Sequence, residues 1–185
     1  MERVSWEDCQ EYCAKLEGFL PGLGARLPTE AEWEYACRAG TTSGFNDGSP
    51  CTTPGSVDSA LDRLGWCDEN SGGETHPVRQ KQANAWGLHD MHGNVWEWCQ
   101  DRLGEYPPEA QTDPVGPENG VIRVVRGGGW IDSARDCRSA IRGRFIPSRR
   151  WNYLGFRLAA GQLPGRGEQS ERRGAEGADA PRPRD

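Results

Sequence analysis

Arg123-Val-Val-Arg-Gly-Gly-Gly-Trp130, then Arg138-Ser-Ala140, then Leu154-Gly-Phe-Arg-Leu158 form the stretch on which the reading of this chain turns. Gly, Arg and Trp sit at regular frame positions, and the residues between them are of almost every chemical type. Val121 to Arg126 is a β-branched run and predicts a strand. Gly127 to Gly129 permit positive φ or close backbone approach directly after it. Phe156 to Ala160 predicts a final short strand. Between Arg123 and Arg157 there are nine arginines but only two acids, Asp132 and Asp136. The simplest accounting pairs these arginines with Asp and Glu from the first two thirds of the chain.

Working outward, Val95-Trp-Glu-Trp-Cys99 alternates as a strand does and follows a turn-rich run from Asn84 to Asn94. His89 and His92 flank Asp90 in that run, and both are expected at the surface. Thr41 to Gln82 is rich in Gly, Ser, Pro, Thr and Asp and predicts a long loop that needs stabilising contacts or a bound ion. Two helices precede it. Thr29-Glu-Ala-Glu32 is a capping box, Trp33, Ala36 and Cys37 form the inner face, and Gly40 ends the helix. Residues 5 to 17 form the first helix, with Ser5 as N-cap and Asp8 as a partial mimic of the capping-box acid. Trp6, Cys9, Cys13 and Leu16 make its apolar stripe, and Gly18 is its stop. Residues 161 to 185 lack aromatic residues, Ile and Val, so they read as a disordered tail to a single domain of residues 1 to 160.

Composition limits the function classes. Only 35% of the 185 residues are hydrophobic, but eight are Trp, each of which buries much area. With 25 Gly and 13 Pro, loops should outweigh long helices. A net charge of -6 argues against a general nucleic-acid binder. No run has transmembrane length. The seven cysteines contain no C-x-x-C and read as small buried hydrophobes in a reducing, cytoplasmic setting.

Four blocks together resemble the formylglycine-generating enzyme, or sulfatase-modifying factor, family. They are Val4-Ser-Trp-Glu-Asp8, Arg26-Leu-Pro-Thr-Glu-Ala-Glu-Trp-Glu-Tyr35, the Asn84-Ala-Trp-Gly-Leu88 and Met91-His-Gly-Asn-Val-Trp-Glu-Trp98 pair, and the C-terminal frame. The resemblance implies an α+β, C-type-lectin-like fold, loop-rich, with two early helices and short antiparallel sheets. It also implies further N-terminal strands that are expected to be missing here. It implies a structural Ca²⁺ on the carbonyls of Asp90, Gly93 and Val95 and the carboxylate of Glu97, a set of hard oxygen donors. On the residues alone, Glu97 paired with a C-terminal arginine remains the alternative. The family's oxidases use two Cys five residues apart to bind Cu(I). Here the second position is Cys137, the candidate catalytic residue, but the first is Asp132, and the usual serine after the glycine pair is Gly129. A carboxylate is a poor ligand for a soft cuprous ion, so copper is not expected.

The expected function is therefore a non-catalytic domain that binds a protein or small-molecule ligand, with no nucleic-acid or membrane partner. Relatives that include variable proteins of diversity-generating retroelements have a similar C-terminal frame and present the residues between its fixed positions as a binding surface. The corresponding residues here are Trp130, Ile131, Asp132, Ser133, Asp136, Ile141, Gly143, Phe145, Ile146, Ser148, Arg149, Trp151 and Tyr153. Their mix of rigid aromatics and small polar groups suits recognition. A second reading makes Phe145, Ile146 and Trp151 core residues. The alternative function is a formylglycine-generating oxidase or a divergent oxidase of the same superfamily.

Overall fold

The computed structural model describes residues 2–52 and 58–162. Most of the expected tail lies outside the described residues. Helix α1 spans Trp6–Phe19, α2 Glu30–Arg38 and α3 Ser59–Leu64. The strands are β1 Gly65–Trp66, β2 His92–Gly93, β3 Trp96–Arg102, β4 Arg123–Arg126, β5 Arg142–Phe145 and β6 Leu154–Gly155. The four-stranded sheet has the order β5-β4-β3-β6, and β1 and β2 form a separate parallel pair. Within the larger sheet β3 runs antiparallel to β4 and parallel to β6.

Both early helices start where their caps predict. Thr29 Oγ1 accepts from Glu32 N, and Glu32 accepts in return from Thr29 N. Asp8 does more than a partial mimic would: it accepts from Ser5 N at 2.8 Å while Ser5 Oγ accepts from Asp8 N, so the box is complete. Helix α1 runs through Gly18 to Phe19. No left-handed glycine is placed there to stop it, and Leu20 N caps it instead by donating to Leu16 O. Helix α2 ends on Ala39 in the left-handed conformation, followed by Gly40.

The sheet is packed on both faces because β3 alternates. Trp96 and Trp98 join Cys9, Leu27, Val125 and Leu154 on the α1 side. Cys99 joins Trp33, Cys37, Met91 and Val124 on the α2 side. A third cluster of Phe45, Leu61, Leu64, Cys67, Ala134 and Cys137 lies under the loops. Six cysteines are buried, as expected of small hydrophobes. Four of the nine C-terminal arginines form ion pairs with earlier acids: Arg126 with Glu30 and Glu34, Arg142 with Glu30, Arg150 with Asp8, and Arg157 with Glu97.

The predicted long loop of residues 41 to 82 instead contains α3, capped by Asp58, and β1. Short apolar groups between turn signals hid both elements. Side-chain contacts hold the segment. His76 stacks on Trp66 at 3.7 Å between centroids, and Lys81 Nζ lies 3.9 Å from the same ring. Gly93 has φ of 75°, and a Cβ there would come 2.0 Å from Trp66 O, so the β1–β2 pairing requires glycine. The last predicted strand lies two residues early, at β6, and Ala159 forms only a bridge to Arg26. β5, read as part of the variable stretch, is a full strand.

His92 is not at the surface. It is fully buried, its Nδ1 bonds Cys137 O at 2.8 Å, and its Nε2 lies 3.2 Å from the Asn46 N–H. These partners fit a neutral ring that donates through Nδ1 and accepts through Nε2. Burial pushes its pKa down to about 4. The unfolded chain therefore takes up a proton below pH ~6.5 that the folded chain refuses until about 4. Stability should fall as pH drops through that interval, by roughly 3 kcal/mol from this group. NMR of the ring nitrogens should show the neutral tautomer persisting to near pH 4.

Candidate functional site

The chain after β4 turns at Gly127 to Gly129 and lays residues 130 to 140 across the third cluster. Asp132 Oδ2 accepts from Trp96 Nε1 at 2.7 Å and from Gly129 N at 2.8 Å. Its carbonyl accepts from Asp68 N. Burial pushes its carboxyl pKa upward against these bonds. Cys137 is fully buried, and burial, with Cys67 the next largest influence, raises its thiol far above the ordinary range. Its sulfur is so close to Gly128 that a Cβ there would come within 2.6 Å. The pair five residues apart thus consists of a hydrogen-bonded carboxylate and an enclosed thiol. That donor set does not fit a bis-thiolate cuprous centre, because the first donor is hard and the second is held as the neutral thiol. Among the described residues no group of three or more His, Cys, Asp or Glu side chains could hold a metal ion.

The expected recognition residues divide by depth. Ile131, Ile146, Ser148 and Arg149 are exposed. Ile141, Phe145, Trp151 and Tyr153 are half-buried and pack on the α1-side core. Phe145 meets Trp98 and Trp151 edge-on, with centroids 6.3 and 5.0 Å away, Trp151 meets Tyr153 at 4.9 Å, and Arg149 lies 4.4 Å from the Trp151 ring. An aromatic ladder therefore climbs from the core to the surface and ends under an arginine. Phe145 and Trp151 pack inward, as the core reading has it, and keep part of their surface open, whereas Ile146 of that reading is exposed. Trp130, Asp132, Ser133 and Asp136 form a neighbouring half-buried shelf. Trp130 Nε1 donates to Asn152 O, and Ser133 Oγ lies 2.9 Å from Asp136 Oδ2. Gly143 departs from the rest. A Cβ there would lie 2.6 Å from Val125 and 2.7 Å from Trp96, so it offers backbone alone and cannot vary.

The turn before β3 lines a cavity of about 580 Å³ that includes Asp90, Gly93, Val95 and Glu97. Glu97 is buried and accepts from Trp33 Nε1 at 2.6 Å and from Arg157 Nη2 at 2.8 Å. Arg157 also donates to the carbonyls of His89 and Asp90. The ion pair weighed as an alternative for Glu97 is therefore present, with Arg157 as its partner. Asp90 Oδ1 is buried without a hydrogen-bond partner among the described residues, and Asp90, Gly93 and Asn94 all have positive φ. The orphaned Asp90 Oδ1 is one hard donor, but Asp90 O and both Glu97 oxygens are already engaged by Arg157 and Trp33, so the set fits a hard cation only with Arg157 displaced. The partners Trp33 and Arg157, each some sixty residues from Glu97, left no local signal in the sequence.

A sequence model described as the sulfatase-modifying factor enzyme 1-like domain matches residues 1–161. The chain belongs to the sulfatase-modifying factor family. It is 35% identical over 170 residues to the formylglycine-generating enzyme of Mus musculus, covering 87% of this chain and 44% of that protein. It is 39% identical over 148 residues to a serine/threonine-protein kinase, pkn1, of Chlamydia caviae, covering 78% of this chain and 22% of the kinase. The chain thus spans less than half of either relative. Treponema denticola variable protein 1 superposes with a TM-score of 0.77 at 31% identity, over 89% of this chain and 71% of the other. The fold is accordingly the C-type-lectin-like one that the motifs implied. No helix among the described residues is long and apolar enough to cross a membrane.

Two substitutions check this geometry by chemical denaturation. Gly143→Ala should cost about 1–3 kcal/mol through overpacking against Trp96. Arg157→Leu should cost about 3–5 kcal/mol by stranding the Glu97 charge, and adding Glu97→Gln should restore part of the loss.

Proposed function

We propose that this sulfatase-modifying factor domain is a non-catalytic recognition module that presents its C-terminal third to a protein or small-molecule ligand. The single observation that supports this reading is Asp132. It occupies the position where the family's oxidases place a copper-binding thiolate, and its carboxylate is committed to Trp96 and Gly129. The aromatic ladder ending in Trp151 and Tyr153 supplies rigid apolar anchors, while Ile131, Ile146, Ser148 and Arg149 supply an exposed rim. The structural likeness to a Treponema variable protein and the match to a small part of a Chlamydia kinase both suit a module used for recognition. Calcium belongs to the same proposal, as a structural ion on the carbonyls of Asp90, Gly93 and Val95 with Glu97 and the orphaned Asp90 Oδ1, taking the place Arg157 holds on Asp90 O and Glu97.

A formylglycine-generating oxidase is favoured by the 35% identity to the Mus musculus enzyme and by Cys67, which shares the buried cluster of Cys137. The two readings separate by experiment. The domain, incubated with copper and a peptide carrying Cys-x-Pro-x-Arg, should give no aldehyde by mass spectrometry. Asp132→Cys should retain Cu(I) against a chelator where the unaltered chain does not. Peptides selected on the domain from a random library should lose about tenfold or more in affinity on Trp151→Ala or Arg149→Ala. Aldehyde formation, or binders indifferent to both substitutions, would remove the proposal. Adding calcium after chelation should raise the melting temperature, and Asp90→Asn should weaken that response.

A further inference from the structure

A second cavity lies away from the C-terminal surface. It is a cleft of about 750 Å³ between α2 and the loop of residues 104–117, with the ends of β3 and β5 as its floor. Side chains alternate across the sheet, so Arg142 on β5 faces α2 while Gly143 and Phe145 face the α1 side. The cleft and the aromatic ladder are thus on opposite faces.

Its charge is unbalanced. Five acids line it (Glu30, Glu34, Asp101, Glu105 and Glu109) against three arginines, Arg38, Arg102 and Arg142. Glu30 is satisfied from within: Arg142 clasps it with two nitrogens and Tyr106 Oη donates to it at 2.9 Å. Glu34 pairs with Arg126 and Arg38. Asp101 is only 4% exposed, accepts from Glu30 N, and is part of no ion pair among the described residues. Burial, with the Glu30 charge adding to it, pushes its carboxyl up to about 6. Glu105 and Glu109 are exposed at the rim.

The walls are apolar and aromatic. Ala31, Pro107, Val115 and Pro117 flank the acids. Tyr106 is 62% exposed and Tyr35 69%, and Tyr35 is braced edge-on by Trp86 at 4.9 Å. Arg142 lies 4.2 Å from the Tyr106 ring, an internal instance of a guanidinium on an aromatic face in this cleft. The exposed Glu105 and Glu109, the open Tyr35 ring and an apolar trough together suit a side chain with an aliphatic stem and a cationic head.

We propose that this cleft binds a basic peptide segment, laying an arginine or lysine stem along the proline-lined wall and its charge between Glu105 and Glu109, beside Tyr35. A small amine would meet the acids but leave the wall uncovered, which favours the peptide. The site is independent of the C-terminal surface, and either can fail without the other.

The test is fluorescence anisotropy with a labelled octapeptide of alternating arginine and alanine, and with its counterpart carrying glutamate for arginine. The arginine peptide should bind saturably and more weakly as salt rises, and the glutamate peptide should not bind. Tyr35→Ala, and Glu105→Gln with Glu109→Gln, change exposed side chains, so circular dichroism should show an intact fold. At least one of the two variants should weaken binding by about tenfold. Absence of saturation up to about 1 mM, equal binding of the glutamate peptide, or unchanged affinity in both variants would overturn the proposal.

Discussion

Arg126 is fully buried in β4, and a guanidinium out of water must find acceptors for its protons. Its Nη1 donates to the carbonyls of Ala140 and Ile141, and its Nη2 to Ser139 O and to the Glu34 carboxylate. One side chain therefore joins an inner strand of the sheet to α2 and to the chain that enters β5. Only Nε is left without a partner among the described residues. Glu30, shared between Arg126 and Arg142, extends the same network to the next strand. The segment between Gly129 and Arg142 is held at its far end by these bonds and in its middle by the buried Ala134, Cys137 and Ser139.

The two faces of the sheet follow from this. On the α2 side three acids are compensated by arginines, Glu97 by Arg157, Glu30 by Arg142 and Glu34 by Arg126, while the buried Asp101 is held by the Glu30 N–H. On the α1 side the sheet is apolar, and the aromatic ladder carries that apolar surface outward from Trp98 to Tyr153. A recognition surface needs anchors that do not move, and anchors rooted in a core meet that need at small entropic cost. The scaffold and the exposed rim are thus separate parts of one segment. Ser139, fully buried and bonded to Gly44 O, belongs to the scaffold, and Ile146 belongs to the rim.

Much of the fold was legible locally. The capping boxes at Ser5 and Thr29 act within four residues, so the sequence could show where α1 and α2 begin. The alternation of Trp96, Glu97 and Trp98 announced β3 for the same reason. What stayed hidden acts at long range. Nothing adjacent to His92 indicates that Cys137 O and Asn46 N will enclose its ring, so it read as a surface residue. Helix α3 is too short for periodicity to reveal. Gly143 looked like one more variable position because the Trp96 ring that excludes a side chain there is forty-seven residues away.

The sequence by itself determined the family, the fold class and the early helices, because each is written in residue types at fixed spacing. The tertiary structure alone decided which charges meet, which of the intervening residues point outward, and that a second cleft opens behind the sheet. Burial and charge pairing are properties of neighbours in space, and in this fold those neighbours come from opposite ends of the chain: Glu30 and Arg142 are separated by 112 residues.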